Sequence, residues 1–120
     1  MKELFKIEFD FIGRKNEIIF YIYEDYKKII EKFDIEISAE HKEASHCIVC
    51  DSPDGVIWLQ SILFTVNYFN NPEHYIHELL HATKNILGFM DIKDEEMECY
   101  MLGFLAQKYM ELLEELKIKN

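Results

Sequence analysis

Phe5, Ile7, Phe9 and Phe11 occupy every second position, with Lys6, Glu8 and Asp10 between them. A period of two predicts a strand with one buried face. Gly13-Arg14-Lys15-Asn16 reads as a turn. Glu17 to Tyr23 is rich in β-branched and aromatic residues and reads as the returning strand of a hairpin. The period then lengthens. Tyr26, Ile29, Ile30 and Phe33 fall at i, i+3, i+4 and i+7, which predicts an amphipathic helix from about Glu24 to Phe33. Glu36 to Ser45 is polar and reads as a loop. Two further strands follow, His46 to Asp51 and Val56 to about Val66. Ser52-Pro53-Asp54-Gly55 between them is a turn signal, so they read as a second hairpin. The last strand is apolar on both faces, with Gln60 and Ser61 its two polar positions.

Asn70-Asn71-Pro72-Glu73 opens a helix, with Asn as cap, Pro in the first turn and an acid behind it. It is predicted from about Pro72 to Leu87, with Gly88 as its stop. Asp91 or Asp94 caps a last helix that runs to about Leu116. Strands, a helix, strands and two final helices make an α+β fold. The 120 residues form one domain, 1–120, without internal repeats. A chain of this length buries about two-thirds of its unfolded surface, enough for one core.

Charge narrows the partners. The chain carries 23 acids against 13 bases, a net charge of −10. Such a surface repels phosphate, which argues against nucleic acid and anionic membranes. No apolar run reaches the roughly 18 residues of a membrane span. The first eight residues alternate charged and apolar residues and lack the features of a secretory signal. Three cysteines are then expected to be free thiols in a reducing, cytoplasmic setting. Two of them form Cys47-Ile48-Val49-Cys50. A lone CxxC in a strand points its thiols to opposite faces and reads as inert.

His77-Glu78-Leu79-Leu80-His81 carries the chemistry. Four helical residues advance about 400°, so His77 and His81 lie on one stripe, one turn apart. Two imidazoles placed this way can reach one zinc ion. Glu78 lies about 100° around the helix, beside the metal, where a carboxylate can take a proton from water that the metal has acidified. An HExxH run arises by chance in roughly a few chains per hundred of this size. Two surface histidines with Glu78 as helix filler is the plain alternative. The capped mid-helix setting favours one zinc per chain. His74, Lys84, Lys117 and Lys119 read as solvated side chains, and Tyr100 as a packing residue.

A catalytic zinc takes three protein ligands and keeps one position open. The last helix begins with Glu95, Glu96 and Glu98. Cys99, Gly103 and Ala106 form a small-residue stripe below Glu96, suited to close packing on another helix. Glu98 aligns instead with Leu102, Leu105, Leu112 and Leu116. On that pattern Glu96 is the third-ligand candidate, followed by Glu98 and then Glu95.

HExxH followed on the next helix by Glu96-Met97-Glu98-Cys99-Tyr100 and Met101-Leu102-Gly103-Phe104-Leu105 resembles the gluzincin side of the zincin metallopeptidases. In size the chain is similar to small phage- and prophage-encoded zincin-like proteins and to compact ImmA/IrrE-type peptidases. The resemblance covers about Glu73 to Leu105. It implies a small zincin-like domain with a mostly antiparallel sheet. It also implies His77, His81 and Glu96 as metal ligands, Glu78 as catalytic base, and a peptide or protein substrate. Two departures are the 15-residue step from His81 to Glu96 and Cys99 where a smaller residue is usual. Two functions follow as expectations: a zinc-dependent hydrolase, or a non-catalytic zincin-fold phage or host-interaction protein that retains the metal site. By the same resemblance the strand from Val56 to about Val66 should be the sheet edge above the metal. Gln60 and Ser61 would then mark its exposed stretch.

Overall fold

A computed structural model describes residues 2–24, 45–51 and 57–119. Its strands are β1 (Lys2–Phe11), β2 (Arg14–Tyr23), β3 (Ser45–Asp51) and β4 (Ile57–Thr65). Its helices are α1 (Pro72–Phe89) and α2 (Glu95–Lys119). The predicted helix to Phe33 beyond its first residue Glu24, the loop after it as far as Ala44, and the turn at Ser52 to Gly55 lie outside the described residues.

The strands form one mixed sheet in the order β1-β2-β4-β3. β1 pairs antiparallel with β2, and β3 antiparallel with β4, as the two hairpin readings require. β2 and β4 pair in parallel along their whole length, from Lys15 opposite Ile57 to Tyr23 opposite Thr65. β4 is therefore an interior strand, bonded on both sides, and the expectation of an edge strand there is overturned. Its composition explains the placement: residues 60–64 are buried on both faces, the pattern of a covered central strand. Gln60 and Ser61, expected at the surface, are buried with the rest. Among the described residues the edges are β1 and β3, and α1 runs beside β3.

The first turn is shorter than the sequence suggests. Phe11 pairs with Arg14, which leaves Ile12 and Gly13 as a two-residue loop. Both have positive φ, 49° and 74°, the signature of a type I′ hairpin turn. Glycine accepts this conformation freely, whereas a β-branched residue is strained in it. Ile12 is also largely exposed, so no packing offsets that strain.

Two tight turns carry the chain from β4 into α1, closed by Tyr68 N–H donating to Thr65 O and Asn71 N–H to Tyr68 O. Asn71 caps α1 as predicted, its Oδ1 accepting from Glu73 N–H at 3.0 Å. Gly88 does not end the helix. α1 continues to Phe89, and Asp91 takes the left-handed position at φ 54°. Ile92 N–H donates to Leu87 O and Asp91 N–H to Gly88 O, the paired bonds of a Schellman ending. A Cβ on Gly88 would meet nothing within 4 Å. Glycine at that helical position costs about 1 kcal/mol relative to alanine. Asp94 caps α2, its Oδ1 accepting from Glu96 and Met97 N–H.

The core lies between the sheet and the two helices. Ile18, Phe20, Ile62 and Phe64 meet Leu79, Ala82 and Ile86 of α1 and Leu105 and Tyr109 of α2. Tyr109 stands at the centre, with the rings of Phe5, Phe20, Phe64 and Tyr75 at 4.5–6.1 Å. Its hydroxyl donates to Phe69 O, so the one polar atom of that ring is satisfied. Burial holds its proton on well above the ordinary range.

α2 packs chiefly by its bulky stripe, Met101, Leu105 and Tyr109, with Ala106 the one member of the small stripe that touches the core. Cys99 and Gly103 are exposed. Bulky side chains remove more apolar area from water than glycine and alanine can, and that area decides which face turns inward. Tyr100, expected to pack, is 73% exposed. Among the described residues no helix is long and apolar enough to cross a membrane.

Candidate metal centre

α1 presents two stripes of equal spacing. Tyr75, Leu79, Ala82 and Ile86 are buried, and His77, His81, Lys84 and Gly88 are exposed. Asn71 at the cap and the apolar stripe against the core fix the rotation of the helix. The histidines therefore project outward together.

The Nε2 atoms of His77 and His81 lie 3.2 Å apart. With one ring as the Nε2–H tautomer this separation is a hydrogen bond, and with both lone pairs outward it is the bite of a shared ion. Two nitrogens bound at about 2.0–2.1 Å to one tetrahedral ion lie about 3.3–3.4 Å apart, so the spacing fits. Glu78 differs from its neighbours in burial. It is 3% exposed, and its Oε1 is 3.8 Å from His77 Nε2. His77, Glu78 and His81 each offer a ligand atom within 4.8 Å of the others and could hold a metal ion.

The His81 pKa is lowered, first by burial, then by His77 and by the Lys84 cation. Each cause favours the neutral imidazole, the form that binds a metal. Tyr23, at the end of β2, is buried, and its pKa is pushed up to about 12 by that burial and by the Glu78 carboxylate. The inner side of the cluster is thus closed by protein, while His77, with 64% of its side chain exposed, faces solvent.

α2 contributes no side chain to this cluster. Glu96 is exposed in the first turn, where its backbone N–H binds Asp94, and Glu95 is exposed beside it. Of the small-residue stripe that singled out Glu96, Cys99 and Gly103 are exposed and only Ala106 reaches the core. Glu98 is the acid that meets α1, through a 2.7 Å ion pair with Lys84. Lys84 is therefore held and not merely solvated. The alignment of Glu98 with the leucine stripe was the sequence signal for this contact. His74 is half-buried, with its ring 4.1 Å from that of Tyr68.

Gln60 fastens the centre from behind. Its Nε2 donates to Ala82 O at 3.3 Å, and its Oε1 accepts from Asn85 Nδ2 at 3.2 Å. A buried amide with partners on both ends sets where α1 lies along β4. The sequence marked Gln60 as unusual but assigned it to the surface. Nothing in the sequence pointed to Tyr23.

Compared with protein-family models, curated proteins and solved structures, the chain matches none.

Proposed function

We propose that the protein is a zinc-dependent hydrolase, a small metallopeptidase in which His77 and His81 hold the ion and Glu78 is the catalytic base. The observation that carries this reading is the convergence of the two Nε2 atoms, 3.2 Å apart, beside a buried carboxylate. Two neutral imidazoles suit zinc. On the sequence pattern the third ligand is Glu96; the structure does not bring it to the cluster, and Glu98, which meets α1 through Lys84, is the competing choice.

When bound, the ion would supply Lewis acidity, polarising a carbonyl and lowering the pKa of water towards 7. The remaining work falls to the chain. Glu78 takes a proton onto its carboxylate and returns it to the leaving amine. Its burial keeps competing water away from that transfer. His77 and His81 are held in register by the helix, so the two ligands need little rearrangement before they bind.

Metal analysis after zinc reconstitution is the test. One zinc per chain is expected, and none in His81→Ala. Glu78→Gln should keep the zinc and lose cleavage of a casein substrate. Loss of metal in that variant would defeat its assignment as base. Glu96→Gln should weaken zinc binding by about 10-fold or more. If Glu98→Gln does so instead, the third ligand is Glu98. Zinc closed by four protein ligands would favour a structural role over a catalytic one.

A further inference from the structure

Beyond His81 the exposed stripe of α1 continues into a cleft of about 480 Å³ between α1 and α2, lined by Lys84, Leu87, Gly88, Ile92, Glu95 and Glu98 among others. Lys84 is three residues past His81, about 4.5 Å along the helix axis. The cleft thus begins about one helical turn beyond His81, on the same face, and Gly88 lies about 10.5 Å along the axis from His81.

Gly88 is the informative residue. Its glycine is not needed for the end of the helix, because Asp91 takes the left-handed position. It is not needed for close packing either, because a Cβ there would meet no atom within 4 Å. A missing side chain at this point does one thing: it leaves the cleft open. Leu87 and Ile92, tied by the Ile92 N–H to Leu87 O bond of 2.8 Å, supply apolar surface beside it. Lys84 and Glu98 neutralise one another across the cleft. Lys93, Asp94 and Glu95 also line the cleft, yet its exposed lining is more apolar than polar, and shape and apolar area are what it offers a substrate side chain.

We propose that this cleft is the specificity pocket of the hydrolase, taking a bulky apolar side chain of a peptide substrate next to the scissile bond, with Gly88 as its floor. The proposal rests on the hydrolase reading and specifies its substrate class. Burying a leucine-sized side chain is worth about tenfold or more in affinity.

The zinc-loaded protein is titrated by calorimetry with acetohydroxamate, which chelates metal and has no side chain, and with N-acetyl-leucine hydroxamate. The leucine compound should bind about tenfold or more tighter, and it should shift the Gly88 and Ile92 amide resonances. Gly88→Leu should erase that advantage and leave acetohydroxamate binding in place. Gly88→Ala and Gly88→Leu should melt no lower than the parent, which separates a filled cleft from a damaged fold. Equal affinity for the two compounds in the parent, or an advantage that survives Gly88→Leu, overturns the pocket while the metal centre stands. If neither compound binds, the hydrolase reading fails and the pocket fails with it.

Discussion

Tyr75, Leu79, Ala82 and Ile86 on the inner face of α1, and His77, His81, Lys84 and Gly88 on the outer face, follow the same spacing of i, i+4, i+7 and i+11. The inner four are fixed by packing with the sheet and α2. The outer four include two imidazoles in contact, a lysine held by Glu98, and a glycine that weakens the helix. One face is built from residues whose removal opens a cavity. The other is built from exposed residues, two of which are the proposed metal ligands. A single helix carries both because its inner stripe is strong enough to hold the outer one in position.

The largest effect should come from the inner side. Tyr109→Ala removes the ring at the centre of the aromatic cluster and should destabilise the fold by about 3–5 kcal/mol in urea denaturation. A loss below about 1 kcal/mol would mean that the core can do without it.

Alkaline pH should come next. The folded state holds the Tyr23 proton up to about 12, against an ordinary value of 10.0. The folded state therefore binds this proton more tightly than the unfolded chain does. The resulting stability is complete below pH 10 and is lost as pH rises towards 12, by something like 2 kcal/mol. Tyr23→Phe should make unfolding midpoints shallower in pH across that window. An unchanged profile would separate Tyr23 from the buried side of the site.

A gain is expected at the hairpin turn, far from both faces. Ile12→Asn relieves the left-handed strain and should stabilise by about 0.5–1 kcal/mol, read as a higher melting temperature.

The smallest effects should lie on the outer stripe. His77→Ala, His81→Ala and Lys84→Ala should each change metal-free stability by less than about 1 kcal/mol. The two histidine variants should nevertheless abolish zinc binding. A large stability loss in either would show that the outer stripe is structural after all.

The alternating Phe5, Ile7, Phe9 and Phe11, the Asn71-Pro72 helix start and the Asp94 cap were legible because each is a local rule. So was the pairing of His77 with His81, which one helical turn guarantees. Three features were not legible, the first two for reasons of long range. The interior position of β4 depends on a parallel partner 42 residues earlier, seen in Lys15 opposite Ile57. The two-sided apolar pattern of β4 was the clue to that position, and it outweighed the expectation of an edge. The inward face of α2 was misjudged because small residues permit close packing, whereas bulky ones supply the area that drives it. The end of α1 was misplaced because Asp91, not glycine, adopts the left-handed conformation.

Folding kinetics follow from the pairing of β2 with β4. The β1–β2 hairpin closes through two residues and should form within microseconds. The β3–β4 pair is also close in sequence. Joining the two pairs into one sheet requires bringing together residues 42 apart in sequence, Lys15 and Ile57, before any contact repays the entropy. The rate-limiting barrier is therefore expected at the β2–β4 seam, where Ile18 and Phe20 meet β4. Until that seam closes, the sheet lacks the surface on which α1 sets its histidines. The candidate metal centre should accordingly be among the last parts of the molecule to form.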